Sequence, residues 1–217
     1  YRDWAGAKRR LGIKVNTIRC QAFSHPELAS ALARGLVSAG ADPARLTVWD
    51  RDTFGLEDRG YTLDTSGKRG FVCRGGDSVT ATTPKSAMVA GAKIYLSSLL
   101  FENELLFNIA ALKSHSMAGV TLSLKNNFGM INGAQLLHGV VKKGSACEPG
   151  ISELAALPEI RGRLQLAIID GLVGICDGGP GPADPAHAFR HGGILVSRDP
   201  VAVDRQGLAI IEARRRE

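Results

Sequence analysis

The 217 residues contain no apolar run approaching the roughly 18 that a membrane-spanning helix requires, which excludes an integral helical membrane protein. No C-x-x-C pair occurs. The four cysteines, Cys20, Cys73, Cys147 and Cys176, stand far apart, so no zinc spacing and no iron–sulfur cluster is expected from this chain. The phosphate loop G-x-x-x-x-G-K-[ST] is missing, "GLVGICDGG" fails the dinucleotide pattern G-x-G-x-x-G, and no G-x-S-x-G elbow is present. These gaps remove the commonest nucleotide-binding and serine-hydrolase readings. Internal repeats and low-complexity tracts are absent too. The chain opens at Tyr1 without an initiator Met or a signal-like region, which leaves the compartment open.

What is present is the composition of a water-exposed globular protein, 44% hydrophobic and 22% charged. The length fits one domain with a full core, taken here as residues 1–217. Lys and Arg exceed Asp and Glu by 27 − 21 = 6, a balance that attracts acidic partners. Part of that excess lies in "ARRRE" and "AKRR", which read as solvated helix ends, and no basic repeat interleaves with aromatics. The charge is compatible with an anionic surface or a small anionic molecule, and the missing basic–aromatic pattern counts against nucleic acid.

"LGIKVN" (11–16) reads as a strand. A helix follows, with Ser24 as cap, Glu27 three residues on, Pro26 in the first turn, apolar positions at Leu28, Leu32 and Leu36, and Gly40 as stop. The next strand is Leu46–Trp49, completing a βαβ unit with parallel neighbours. Residues 51–84 are rich in Gly, Asp, Ser and Thr, and are read as a loop-rich excursion reaching to about 90, with a small hairpin. "ELLFNIAALK" is nearly unbroken apolar sequence, as suits a strand covered on both faces. "LQLAIIDGL" and "GGILVSRD" read as two more such strands, and Asp199 with Pro200 opens a last helix through Val203, Leu208 and Ile211. The sum is an α/β domain with a largely parallel central sheet and helices on both faces, in Rossmann-like layers.

Ligands of such sheets bind beyond the carboxyl ends of the strands. The polar groups expected there are Lys14 and Asn16 after the first strand, Asp50 after the second, and Lys113 and His115 after the apolar one. Asp170 and Ser197 to Asp199 follow the last two. A helix over 119–128 would then set Thr121 and Lys125 on one face, with Asn126 and Asn127 fixing backbone near Gly129. Histidine titrates near neutrality, and a partly buried lysine near a second cation has its pKa lowered. His115 is thus a candidate acid/base, and Lys113 and Lys125 are candidate catalytic groups or holders of an anion or cofactor. Lys14, Asn16, Asp50, Thr121 and Asn126 join Lys125 as binding residues. His138 and Cys147 could serve a metal, and "GVVKKGSA" (139–146) between them could fold over the site. The competing reading is a non-catalytic binding protein in which the same lysines only clamp an anionic ligand or metal cofactor. A homo-oligomer or a redox partner protein is compatible with either.

"GIKVN", "HPELASALARGLVSAG", "NIAALKSHSMAGVTLSLKNNFGMI", "IIDGLVG" with "GGPGP", and "ILVSRDPVAVDR" resemble the family catalogued as domain of unknown function 362. The match runs over nearly the whole chain and rests on K-x-H…aGvT-x-x-x-KN-x-(F/Y)G and S-x-DPVA-x-D. The short type that it resembles lacks the ferredoxin-like domain of other members. It often carries a bacterial twin-arginine export signal, which implies either export with the signal removed or a cytoplasmic protein. A more distant similarity is to the nickel-pincer lactate racemase family, with its stretch H-x-x-x-G-x-x-G-G-x-K. There His transfers protons, Lys holds the cofactor covalently and a later His binds nickel. Here His115 and Lys125 are also ten apart, with Gly119 between and His138 downstream, but "VTLSL" replaces the Gly-Gly stretch and Asp50 stands where that family has a His. The resemblance implies oxidoreductase or racemase-like chemistry on a small anionic substrate, with a metal ion (nickel or iron) or a lysine-attached cofactor.

Overall fold

A computed structural model describes residues 4, 8–18, 20–77, 82–138 and 147–217, with the side chains of the 82–138 segment described from residue 85 onward. The basic loop expected over 139–146 lies outside them.

The chain opens with β1 (Leu11–Lys14), α1 (Pro26–Ser38) and β2 (Leu46–Asp50), and β1 pairs with β2 in parallel from Leu11 opposite Leu46. The expected βαβ unit is therefore present. The cap differs from the expectation. His25 stands at the N-cap without a side-chain cap bond, and Ser24 is fully buried. Its Oγ accepts from the Asn16 N–H at 2.8 Å and donates to the Ile109 carbonyl at 2.7 Å. Ser24 thus ties the end of β1 to the strand beyond it. On α1, Ala29, Leu32, Ala33 and Leu36 form the buried face, the four-residue spacing that a helix needs to cover a sheet.

The loop-rich stretch holds more order than its composition announces. It contains α2 (Thr53–Asp58) and β3 (Val72–Gly75), and β3 extends the parallel sheet beside β2. A four-residue strand carrying Arg and Gly has too short a pattern to be read from sequence. A hairpin is present but lies later than the one expected within 51–84: it is formed by β4 (Thr82–Val89) and β5 (Ala92–Ser97), followed by α3 (Ser98–Glu102).

β6 (Leu105–His115) is the apolar strand, buried at every position. It lies parallel between β1 and β9 (Leu164–Ile175), so both its faces and both its edges are covered. Between them come β7 (Gly119–Val120), α4 (Leu122–Asn126), a 3₁₀ turn over Asn127–Met130, β8 (Ile131–Asn132), α5 (Ala134–His138), α6 (Gly150–Ala156) and α7 (Pro158–Arg161). The main sheet runs in the order β10-β9-β6-β1-β2-β3, where β10 is Ala188–Phe189. A second sheet, β4-β5-β8, is antiparallel. The result is a mostly parallel central sheet with helices around it.

β11 (Gly193–Ser197) departs from expectation. It runs antiparallel to β9, with Ser197 opposite Ala167 near the start of β9, and its residues alternate between half-buried and exposed. The polar residues after it, Ser197 to Asp199, therefore lie at the opposite end of the sheet from those after β1, β2 and β6. Asp199 instead caps α8 (Pro200–Arg215), accepting from Val201 and Ala202, as its position before Pro200 suggests. Among the described residues no helix is long and apolar enough to cross a membrane.

Candidate functional site

A cavity of about 440 Å³ opens where β1, β2 and β6 end. Lys14, Asn16, Asp50, His115, Thr121, Lys125, Asn126 and His138 all line it. Parallel strands bring these groups together because each ends on the same rim of the sheet, the place where ligands of open α/β folds bind.

The floor is a buried polar knot. Lys14 Nζ lies 2.6 Å from Asp50 Oδ1 and donates to the Val15 carbonyl. The other Asp50 oxygen accepts from the Thr17 N–H and hydroxyl, both at 2.7 Å. Burial alone would raise the Asp50 carboxyl, but the Lys14 charge and the hydrogen bonds from Lys14, Thr17 and Arg51 hold it below its ordinary value. Asn126 Oδ1 accepts from Asn16 Nδ2 at 3.0 Å, and its Nδ2 donates to Asn108 Oδ1 at 2.6 Å. Asn108, a lone amide within the apolar run of β6, also donates to the Ser123 carbonyl and to Asn127. That isolated polar residue in "LLFNIAAL" is the sequence signal that could have found it.

Lys113 is fully buried and is not among the lining residues. Its Nζ donates to Asn16 Oδ1 at 2.8 Å and to the Ala22 carbonyl at 3.2 Å, so Asn16 occupies the space between this ammonium and the cavity. Burial, with Arg59 and Lys14 adding, lowers its pKa to about 8 despite Cys20 and Asp50. Lys113 and His115 share a side of β6 as their spacing requires, but only His115 reaches the cavity. Asp170 is buried within β9 and accepts from the His25 main chain and ring, away from the site. Cys147 is fully buried among apolar side chains and does not line the cavity. Burial raises its thiol, the opposite of what a ready metal ligand needs.

The segment after β6 is a tight turn followed by α4, which is shorter than the helix expected over 119–128. Leu122 opens it with φ +49°, a conformation that residues other than glycine rarely adopt. Asp204 on α8 holds that start, accepting from Ser123 N–H and Leu124 N–H at 2.8 and 2.9 Å and from the Ser123 hydroxyl. Burial pushes its carboxyl up to about 6. Asp204→Ala should cost about 1–2 kcal/mol through loss of this cap, seen as a lower midpoint in urea with an unchanged slope. The strained start turns Thr121 and Lys125 into the cavity. Thr121 Oγ1 is buried and finds no hydrogen-bond partner among the described residues. Lys125 is 6% exposed, and its Nζ lies 3.7 Å from the centre of the Phe128 ring. No hydrogen bond or ion pair among the described residues reaches it. Burial and Lys113 lower its pKa to about 8, against Cys147.

His115 and His138 stack with ring centres 5.5 Å apart and planes within 10°, yet their protonation differs. His115 Nδ1 faces the N–H groups of Met117 and Ala118 at 3.1 and 3.2 Å. That nitrogen must be bare, which puts the proton on Nε2. His138 Nδ1 lies 2.9 Å from the Ala134 carbonyl, so it carries the proton and leaves Nε2 bare. Burial, with Lys125, His138 and Lys113 adding, pushes the His115 ring down to about 3. Burial and Lys125 lower His138 too. One ring thus offers a donor and the other a lone pair.

A family model described as Domain of unknown function (DUF362) matches residues 12–209. Among solved structures, the chain is similar to the lactate racemase apoprotein from Thermoanaerobacterium thermosaccharolyticum, at 12% identity and a TM-score of 0.54. That likeness covers 96% of this chain and 50% of the racemase, so the chain spans about half of the racemase's length, and at this identity the likeness is one of fold. No curated protein matches.

Proposed function

We propose, from the premise that this chain belongs to the family described as domain of unknown function (DUF362), that the cavity is the active site of an enzyme moving a proton on a small anionic molecule. The carrying observation is that two stacked imidazoles sharing a cavity with Lys125 meet opposite main-chain groups, N–H groups at His115 Nδ1 and a carbonyl at His138 Nδ1. Lys125 and the Thr121 hydroxyl would hold the anion. His138 Nε2, bare and neutral, would accept the proton from carbon. His115, whose Nε2–H is its donor, would polarise an oxygen on which charge develops, as a neutral imidazole can without becoming an acid. This divides between two rings the work expected of His115 alone.

Were a lysine-attached group present, Lys125, whose amine has a lowered pKa and faces open space, would be the residue to carry it, and that group would then replace its ammonium as the holder of the anion. Such a group would supply an electron-accepting centre beside the rings. Among the described residues no group of three or more His, Cys, Asp or Glu side chains could hold a metal ion, so nickel or iron would need its donors from that group. The test uses protein purified from its native host, with intact mass and metal content recorded. Single enantiomers of 2-hydroxy acids are incubated with it in D₂O and followed by NMR. Deuterium entering at C2, and its loss in His138→Gln, supports the enzyme. Anions that bind without any exchange would make the protein a binding module instead.

A further inference from the structure

The cavity's mouth has a chemistry of its own. Ile18, Phe54 and Met117 are among the large apolar side chains left in solvent, at 47%, 69% and 42% exposure, and all three line this cavity. They come from three places: the segment after β1, helix α2, and the turn after β6. Scattered exposed apolar residues are ordinary, but three converging on one opening form a rim. The position of Phe54 is fixed by the main chain around it. Asp52 caps α2 by accepting from the Gly55 N–H at 2.7 Å, and the Thr53 N–H donates to Asp77. A Cβ on Gly55 would stand 2.6 Å from the Thr17 hydroxyl, so α2 sits close against the segment that holds Asp50. The ring is held in water by its neighbours.

Inside, the other lining charges have partners. Lys14 pairs with Asp50, Arg51 with Asp52, and Asp58 with Arg59. Lys125 and the unpartnered Thr121 hydroxyl, the latter 4% exposed, are what a ligand would meet. A buried hydroxyl without a partner is costly unless something completes it, and a single ammonium calls for a single negative charge. The volume of about 440 Å³ falls within the roughly 300–1,000 Å³ of sites for molecules well above three carbons.

We infer that the ligand is an amphipathic monoanion, a carboxylic acid whose head meets Lys125 and Thr121 and whose chain or ring of several carbons lies against Ile18, Phe54 and Met117. This rests on the reading of the cavity as an anion site and adds the apolar end. The experiment compares acetate, hexanoate, octanoate and uncharged 1-hexanol by calorimetry or ligand-observed NMR on the full chain. Hexanoate should bind at least about tenfold tighter than acetate, because each buried methylene adds several-fold, and 1-hexanol should bind much more weakly than hexanoate. In Ile18→Ser with Phe54→Ser the hexanoate-to-acetate ratio should fall toward one. In Lys125→Met both acids should weaken while the ratio persists. Equal affinity for acetate and hexanoate in the unaltered protein would overturn the apolar end and leave the anion site standing. Hexanol binding as well as hexanoate would overturn the monoanion, and no binding of any carboxylate would overturn the anion reading itself.

Discussion

Lys125→Met should weaken anion binding about ten- to a hundredfold and lower turnover by about two to three orders of magnitude, while raising the protein's thermal stability. The losses follow from removing the ammonium that no described group neutralises: a hydrogen bond to a charged group contributes about 1.5–3 kcal/mol, and a charge placed where transition-state charge develops contributes more. The gain has the opposite origin. With its pKa lowered to about 8, protonated Lys125 is disfavoured in the folded chain, whereas an unfolded lysine keeps its proton to about 10.5. The unfolded state therefore binds more protons between pH 8 and 10.5, and wild-type stability rises with pH across that window. Below pH 8 the whole cost is present, on the order of 3 kcal/mol. Met keeps most of the stem and removes that cost, at the loss of the ammonium's contact with the Phe128 ring, so the unfolding midpoint should rise by a few degrees at pH 7, and by less at pH 10. A lysine kept only for packing would show no such exchange of stability for function.

Asp50→Ala should be the most destabilising single change at the site, about 3–5 kcal/mol. It strands the Lys14 ammonium, 1% exposed, leaving it among the described residues with the Val15 carbonyl, a distant Asn126 oxygen and the face of Trp49. It also removes the acceptor of three hydrogen bonds from Thr17 and Arg51. Pairing it with Lys14→Met should recover much of the loss, because a buried ion pair replaced as a pair is far less costly than one broken. Chemical denaturation of the four proteins in the cycle measures this coupling. The pH sign is fixed by the lowered Asp50 carboxyl. Its contribution is present above the ordinary value of 3.8 and is lost as pH falls through the folded value. The acid limb of unfolding should therefore flatten in Asp50→Ala.

The parts of this site that follow a strand's period are legible in the amino-acid sequence. Lys14 and Asp50 sit one step beyond apolar runs and His115 three steps beyond, and parallel pairing carries all three to one rim. Thr121 and Lys125, four apart, read as one helix face. What stays hidden depends on contacts between distant segments. Ser24 looks like a cap in sequence but is drawn into the core by Asn16 and Ile109, because a buried backbone group without a partner costs more than a frayed helix start. Lys113 has the right spacing, but its ammonium is bound by the Asn16 side chain and the Ala22 carbonyl and does not line the cavity. The direction of β11 is invisible in "GGILVS", since an edge strand and a central one share that composition. Asp204 lies far along the chain from the turn that it holds. The protonation of the two rings is set by main-chain groups, which no side-chain pattern reports.

Long-range ¹H–¹⁵N correlation NMR on histidine-labelled protein, with assignments from His115→Gln and His138→Gln, measures that protonation directly. The account predicts His115 protonated at Nε2 alone, unchanged from pH 8 down to pH 5, and His138 protonated at Nδ1 alone at pH 7. A His115 ring that titrates near pH 6.5, or that carries its proton on Nδ1, would contradict the division of roles on which the proposed chemistry depends.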